Sequence, residues 1–596
     1  MALHLFPSIN LFNFTTKLQT SKVHASTGRT SSRFAACKAS SVANQNTDNI
    51  ARRSGNYSPT VWNFDYVQSL KSDYGGETNV KRNNKLKEEL RMMLEKETNP
   101  LVQLELIDAL QRLGVSYHFE EEINNLLKGI YLMSKNPGHG TWKENNLHAT
   151  ALECRLLRQY GYWVNQETFN TFKDETGDFK ACLVHDTMGL LSLYEASFHL
   201  IKKESVLEEA REFATKNLEE YIRRNKEQQN YVSKLVGHAL ELPLHWRLPR
   251  WEARWFIDAY EKRPDMNPTL LEFAKLDFNI LQSTHQEDLK HASRWWNEDS
   301  GFPQKLTFAR DRLAECFFWA LGMTSEPNFE YSRRVSTKVL SLVTTIDDVY
   351  DVFGTLDELE LFTNVVERWD LNAVDQLPDY MKICFYALNN FVNEIAFDVL
   401  KEQPFLITNK YLTKVWTDLC KSFLLEAKWY HNGYTPTLQE YIENAWISVS
   451  SHVILMHAYI SITNPMTEVD LKFLKTYPSM IRNSAMILRF TDDQGTSTMI
   501  LRFTDDQGTS MDELKRGDVP KSIQCYMHET GASEDEARRH IKVLIEEAWE
   551  QLNKDRLENS TLSRAFIEVC TNLARIGVCL YQYGDDGHAG ANGAVL

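Results

Sequence analysis

The chain has 596 residues, which is too long for one ordinary hydrophobic core, so two domains are expected behind any processed leader. Its 43% hydrophobic and 25% charged residues are typical of a soluble globular protein and exclude a disordered or fibrous one. The net charge of −15 argues against nucleic acid as the main partner, and without a run of about 18 apolar residues no membrane span is expected.

Residues 1–51 differ in composition from the rest of the chain. They contain one acidic residue, Asp48, against five basic ones, amid many Ser and Thr. An acid-poor, Ser/Thr-rich and mildly basic leader is typical of a transit peptide. We therefore predict a plastid transit peptide over 1–51 and a mature protein in the plastid (chloroplast) stroma; a tail without a targeting role is the alternative.

From residue 52 onward the pattern is almost entirely helical. Apolar residues recur at spacings of three and four in segments such as 86–94, 101–113 and 541–552. Glycine and proline fall between such segments, and convincing period-two strands are absent. The pattern predicts an all-α protein with two helical domains, at 52–265 and 266–596.

Two arginines, Arg310 and Arg312, lie 37 and 35 residues before Asp347. The planar guanidinium suits phosphate oxygens and keeps its charge. Because residues two apart on a helix point about 200° apart, both could face one ligand only from an irregular segment or a helix start. We expect Arg310 to bind a diphosphate, with Arg312 assisting; surface salt bridging is the alternative.

An acidic cluster follows the arginines and is made by Asp347, Asp348 and Asp351. On a helix Asp347 and Asp351 share a face and Asp348 flanks it, so the three carboxylates repel one another unless a cation lies between them. Mg²⁺ prefers a few carboxylates and fills its other positions with water and substrate phosphates. The cluster predicts a magnesium site at the end of a buried helix; a solvated acidic helix end is the alternative.

A tandem repeat of thirteen residues occupies 486–498 and 499–511. In the second copy Asp505, Thr509 and Glu513 form one helical stripe of oxygen ligands for a second metal site, with Arg502 near the same face. The first copy supplies Arg489, Asp492 and Thr496, but its position matching Glu513 is Ile500. Thirteen helical residues rotate the chain by about 220°, so both copies cannot face one cavity. We expect the complete second copy to bind metal, with the first copy as the alternative.

Together these features resemble a plant class I terpene synthase. The aspartates match the family's DDxxD motif, residues 505–513 match its second metal motif, and Arg310-Asp311-Arg312 matches its RxR. Arg52, Arg53 and Trp62 match the RRx8W signature of plastidial monoterpene synthases. No DxDD sequence is present, which disfavours a class II cyclase.

The resemblance implies an N-terminal α-barrel-like domain and a C-terminal class I bundle with a central cavity. There three Mg²⁺ ions, with Mn²⁺ as a possible substitute, would bridge the two acidic motifs and the diphosphate of a prenyl substrate. It further implies a monomer in which Arg310, Asp347, Asp351, Arg502 and Asp505 contact the diphosphate, with Arg489 and Asp492 as alternatives. Trp319 would stabilise cations, and Arg52, Arg53 and Trp62 would form a lid.

Geranyl diphosphate is the expected substrate, converted through linalyl and α-terpinyl cations to a monocyclic monoterpene. Two alternatives remain: a sesquiterpene synthase using farnesyl diphosphate, and a catalytically silent paralogue damaged by the duplication at 486–511. Gln494 and Gln507 depart from the family, which usually has an aliphatic residue there, and a buried amide needs a partner. Tyr583 and His588 are weaker candidates for closing the cavity or removing a proton.

Overall fold

The computed structural model describes residues 52–57, 59–135, 141–225, 230–403, 408–504, 519–559 and 562–581, without the side chains of 141, 468, 471 and 496–504. Within these ranges the chain is helical apart from its connections, and its only β feature is an isolated bridge between Lys173 and Phe179. The predicted all-α class is confirmed.

The described part of the first half of the chain contains nine α-helices. They are α1 (Phe64–Ser69), α2 (Glu77–Lys96), α3 (Pro100–Arg112), α4 (Glu120–Ser134), α5 (Leu147–Gln159), α6 (Thr187–Ser197), α7 (Ser205–Arg224), α8 (Tyr231–Glu241) and α9 (Pro249–Tyr260). Their apolar faces make one core, in which Leu110, Leu156 and Leu193 are fully buried.

The described part of the second half adds fourteen more α-helices. They are α10 (Pro268–Arg294), α11 (Phe302–Lys305), α12 (Leu313–Met323), α13 (Glu330–Asp348), α14 (Leu356–Arg368), α15 (Asp379–Glu402), α16 (Asn409–His431), α17 (Leu438–Ser448), α18 (Ser451–Ile462), α19 (Glu468–Lys475), α20 (Ser479–Thr504), α21 (Ser522–Thr530), α22 (Glu534–Glu558) and α23 (Arg564–Tyr581). A second core lies among them.

Helix α10 connects the two cores. It begins where Asn267 caps the backbone N–H of Leu270 and Pro268 occupies the first turn, a common start for a helix. Its first turns place Phe273 in the first core, whereas Ala292, near its end, belongs to the second. Helix α10 therefore runs from one core to the other, and it begins close to the predicted boundary.

One stretch, Leu438–Ile462, is long and apolar enough to cross a membrane by length and composition alone. It consists of α17 and α18, separated at Ser450, whose φ of 63° breaks the helix. Because 78% of its most apolar window is buried inside the protein, the stretch has the character of core helices.

Candidate active site

The acidic end of α13 is the first part of the site. Buried apolar residues line this helix, and its hydroxyl side chains bond back to the preceding turn, as Thr345 does to the carbonyl of Ser341 at 2.9 Å. Asp347 and Asp348 therefore end a helix that is buried throughout residues 339–348, and they are only 2% and 0% exposed. They are not a solvated helix end.

The regular helix stops at Asp348, and Val349–Phe353 forms a π-helical turn that carries Asp351. The α-helical geometry expected for Asp351 therefore does not apply, because a π turn inserts extra backbone, a feature common at functional sites. Gly354 closes the turn with a 2.8 Å bond from its N–H to the carbonyl of Val349. A Cβ atom at Gly354 would lie 2.8 Å from that oxygen, so the turn requires glycine.

Arg310 lies in the irregular segment before α12, where its side chain meets both aspartates. Its Nη2 donates to Asp347 Oδ2 at 2.5 Å and its Nε lies 2.9 Å from Asp348 Oδ1. Its backbone N–H donates to Asp348 Oδ2 at 2.7 Å. The predicted phosphate-binding arginine and two of the predicted metal ligands, Asp347 and Asp348, thus form one buried cluster.

Because the cluster is buried, its carboxyl groups ionise readily only when positive charge is nearby. Burial and the nearby charge of Asp351 raise the pKa of Asp347 to about 8, with Arg310 acting in the opposite direction. Among the described residues, no three carboxylate, imidazole or thiol groups are gathered around one point closely enough to hold an ion by themselves. An all-oxygen set of few carboxylates nevertheless fits Mg²⁺, whose remaining positions go to water and phosphate.

The second arginine, Arg312, is the N-cap residue of α12 and is 9% exposed. Between the arginines, Asp311 accepts a 2.9 Å bond from the indole N–H of Trp296. Trp62 lines the same cavity of about 210 Å³ as Trp296 and Asp311. The two arginines therefore occupy the irregular segment and helix start expected for them, and Trp62 lines a cavity beside Asp311, the residue between them.

The other two residues of the predicted lid, Arg52 and Arg53, contact residues in the second half of the chain. Arg52 makes a bidentate pair with Glu358 at 2.9 and 2.8 Å, and its guanidinium lies 4.5 Å from the ring centroid of Phe353. Although burial opposes ionisation, the bonds from Arg52 and others hold the pKa of Glu358 at about 2. Arg53 lies over the ring of Tyr430, at 4.9 Å.

Trp319, the predicted cation-stabilising aromatic residue, lies on α12. It is 1% exposed and belongs to the second core. Its neighbour on that helix, Cys316, lies 4.0 Å from the hydroxyl of Thr344 on α13, which places α12 directly against the helix that ends in Asp347.

A second charged cluster lies on α20 and belongs to the first copy of the repeat. Arg489 pairs with Asp492, and its Nε donates to Asp493 Oδ1 at 2.8 Å; all three side chains are 1% exposed or less. Asp493 also accepts from the hydroxyl of Tyr441 at 2.9 Å and from the backbone N–H of Ser522 at 3.2 Å. The cluster therefore ties α17 and α21 to α20.

Gln494, the departure from the family pattern, has a partner. Its amide donates to the carbonyl of Arg538 at 3.3 Å, and Arg538 Nη1 donates to the carbonyl of Gln494 at 3.1 Å. The matching Gln507 lies outside the described residues, as do Asp505, Thr509, Glu513, Tyr583 and His588, and so do the side chains of Arg502 and Thr496.

Several residues of the two clusters were not predicted from the sequence. Tyr57 donates to Asp348, Glu358 pairs with Arg52, and Tyr441 and Asp493 complete the second cluster. Only Asp493 carried a signal, as the second half of an Asp-Asp pair. The others are ordinary residues until the fold brings them to a charged partner.

Comparisons with known proteins agree with this arrangement. The family model described as terpene synthase family, metal binding domain, matches residues 298–499 and 495–551, two segments that overlap at the repeat. The model of the terpene synthase N-terminal domain matches residues 61–240.

Individual relatives are similar over nearly the whole chain. A chloroplastic myrcene synthase from Quercus ilex is 57% identical, covering 99% of this chain and 97% of the relative. A (-)-alpha-terpineol synthase from Vitis vinifera is 56% identical, covering 93% and 91%.

Solved structures of limonene synthase and isoprene synthase have the same fold. The limonene synthase, with 2-fluorolinalyl diphosphate, is 45% identical with a TM-score of 0.83, covering 90% of this chain and 96% of that one. The isoprene synthase from grey poplar (Populus x canescens), with three Mg²⁺ ions and a thiolodiphosphate, is 43% identical with a TM-score of 0.78, covering 88% and 94%. On the evidence of its two matched domains and its relatives, this chain is an enzyme of the terpene synthase family.

Proposed function

We propose that this enzyme converts geranyl diphosphate to a monocyclic monoterpene with release of diphosphate. The observation that carries the proposal is the buried contact of Arg310 with Asp347 and Asp348. It joins a permanent phosphate-binding cation to carboxylates that need a metal ion. The relatives named for myrcene, terpineol and limonene are synthases of ten-carbon products, which supports geranyl diphosphate over a longer substrate.

Different residues would have different roles in the ionisation of geranyl diphosphate. Bound Mg²⁺ would neutralise the diphosphate leaving group as a Lewis acid, held by Asp347 and Asp351 with Asp348 beside them. Arg310, which contacts both Asp347 and Asp348, would donate to the diphosphate oxygens. Trp319 would offer its ring face to the allylic cation, first linalyl and then α-terpinyl, in a site closed to water.

We assign the second metal motif to the first copy of the repeat, with Arg489 and Asp492, rather than to Asp505, Thr509 and Glu513. The assignment is supported by the burial of both side chains and by Asp493, which fastens this copy to α17 and α21. On one helix the second copy would point about 220° away from that cluster.

The repeat itself supplies the matched controls. Asp492→Asn is expected to lower product formation about a hundredfold or more, because it removes a charged ligand of the metal and diphosphate site. Asp505→Asn makes the same chemical change in the other copy and should leave the rate near that of the unmodified chain. Rates from gas chromatography decide the assignment, and a dead Asp505→Asn with an active Asp492→Asn would reverse it.

The function is tested with the purified full chain and geranyl diphosphate, with Mg²⁺, Mn²⁺ or a chelator. We expect monocyclic products and released diphosphate with metal and neither with the chelator. Farnesyl diphosphate in parallel tests the sesquiterpene alternative, and absence of diphosphate release from either substrate would favour a silent paralogue. Plastid residence, supported by relatives named chloroplastic, is tested by fusing residues 1–51 to a fluorescent protein.

A further inference from the structure

Tyr57 connects the segment 52–57 to the acidic cluster. Its hydroxyl donates to Asp348 Oδ1 at 2.7 Å, and the guanidinium carbon of Arg310 lies 5.2 Å from the centroid of its ring. Burial raises the pKa of Tyr57, so the phenol keeps its proton and remains a donor. One side chain thus touches both members of the Arg310–Asp348 pair, from 291 residues away in sequence.

The backbone before Tyr57 is shaped to deliver this ring. Asn56 has a φ of 48°, and its backbone N–H donates to the Ser54 hydroxyl at 3.2 Å, which makes a tight turn. The turn folds the ring back over Gly55: a Cβ atom there would lie 2.4 Å from a carbon of the Tyr57 ring. Glycine at 55 is therefore a steric condition for the contact with Asp348.

The remaining contacts of the segment hold it at different points. Arg52 is fastened to Glu358 on α14 and to the carbonyl of Phe353 in the π turn, while Arg53 lies over Tyr430 at the end of α16. Arg52 and Arg53 have surface-accessible partners, whereas Asp348 is fully buried. Tyr57 is consequently the part of the segment that reaches the interior of the site.

We infer that Tyr57 is a positioning residue: its hydroxyl fastens the segment 52–57 to Asp348 and orients that carboxylate toward Arg310. Asp348 accepts two hydrogen bonds in this arrangement, from the hydroxyl of Tyr57 and from the backbone N–H of Arg310, and its Oδ1 lies 2.9 Å from Arg310 Nε in an ion pair. Losing the hydroxyl leaves one buried carboxylate oxygen with a weaker set of donors and frees the segment above it.

The first test needs neither substrate nor metal. In the full chain without Mg²⁺, trypsin cleaves the Arg53–Ser54 bond only when the segment detaches, and mass spectrometry follows that cleavage. Tyr57→Phe, which removes only the hydroxyl, is expected to speed cleavage about tenfold, the effect of losing one hydrogen bond to a charged group. Gly55→Ala, which displaces the ring, should do the same.

Tyr117→Phe is the matched control, since Tyr117 donates to Asp277 at the same 2.7 Å but in the first half of the chain. It should leave cleavage after Arg53 unchanged. Equal cleavage of Tyr57→Phe and the unmodified chain would overturn the inference. Faster cleavage in Tyr117→Phe as well would do so too, because the effect would then be general destabilisation.

The second readout rests on the proposed function. With geranyl diphosphate and Mg²⁺, a loosened segment should admit water, so the fraction of alcohol products should rise in Tyr57→Phe and Gly55→Ala but not in Tyr117→Phe. If the unmodified chain forms no product, the proposed function fails while the proteolysis comparison still decides the role of Tyr57. An unchanged alcohol fraction beside faster cleavage would contradict the positioning role.

Discussion

Asp347 and Asp348 owe their properties to burial at the end of α13. In water, two adjacent aspartates are ionised and unremarkable; inside the protein, burial and the neighbouring Asp351 raise the pKa of Asp347 to about 8. Arg310 offsets part of this cost in the metal-free protein. Two carboxyl groups that are buried together with one arginine can exchange that arginine for metal cations.

Asp347→Asn tests this at the level of one atom. The amide keeps the shape of the side chain but cannot ionise to the carboxylate that a metal ion needs, so product formation should fall about a hundredfold or more. Thermal unfolding of the metal-free variant should occur at the same temperature or higher, because the amide never has to be buried as an anion. Retained activity would remove Asp347 from the metal site.

A buried histidine gives a prediction about pH. Burial lowers the pKa of His457 from 6.5 to about 4, and its Nε2 accepts a 3.3 Å bond from the indole N–H of Trp416. The unfolded chain takes up the proton first as pH falls below 6.5, so stability is lost between 6.5 and 4. At about pH 5 this one group lowers the free energy of unfolding by about 2 kcal/mol relative to pH 7.

His457→Gln should reduce the difference in the free energy of unfolding between about pH 7.5 and about pH 5, as measured by urea unfolding curves. His528→Gln is the control, because His528 is exposed and its replacement should leave the difference between the two curves unchanged. A variant at 457 with the full pH dependence of the unmodified chain would show that other groups carry it.

At the scale of elements, α20 holds the first copy of the repeat and the beginning of the second in a single helix. Its upstream part packs against α23 so closely that a Cβ atom at Gly577 would lie 2.8 Å from Leu488. A shift of thirteen residues would replace every one of these contacts by others on a different face. Packing upstream of Asp492 thus fixes which copy meets Tyr441.

Shortening the chain tests the cost of the duplication. Removing 486–498 or 499–511 leaves the same sequence except for Met511 or Thr498, and both products place Glu513 eight residues after the remaining aspartate. We expect the two shortened proteins to behave alike and to match or exceed the rate of the full chain, because the oxygen stripe is complete again. Rates at saturating Mg²⁺ provide the measurement; loss of activity in both would mean that the extra thirteen residues are required.

The sequence predicted the helices and the DDxxD cluster because both are local patterns: apolar residues three and four apart, and carboxylates within five positions. The π turn at Val349–Phe353 was not predictable, since its residues fit an α-helix equally well. Tyr57 and Glu358 were missed for another reason. Their roles depend on partners about three hundred residues away, which periodicity does not report.

At the scale of the whole molecule, the two halves are joined by buried polar contacts near α22 and α23. Asn553 donates to the carbonyls of Phe198 and Leu200 at 3.0 and 2.9 Å, and its Oδ1 lies 2.8 Å from His245 Nε2. Arg575 adds a 2.8 Å bond to the carbonyl of His245. The first half therefore acts as a fixed support for the helices of the site.

Asn553→Ala should weaken this junction strongly, because three buried polar groups lose their partner at about 1–3 kcal/mol each. We expect a clearly lower thermal midpoint by circular dichroism. Asn217→Ala, which removes only an amide bonded to its own helix, should change the midpoint little. Equal midpoints for the two variants would show that the junction does not depend on Asn553.

The segment 52–57 also has a consequence for how the protein is made. Its hydrogen-bond partners lie far along the chain: Asp348 follows Tyr57 by 291 residues, and Glu358 follows Arg52 by 306 residues. At about 5–20 residues per second, a ribosome needs roughly 15–60 seconds to synthesise that distance, so the segment emerges long before its partners exist. A segment synthesised early is thus among the last to take its place, and closing of the site is a late event in folding.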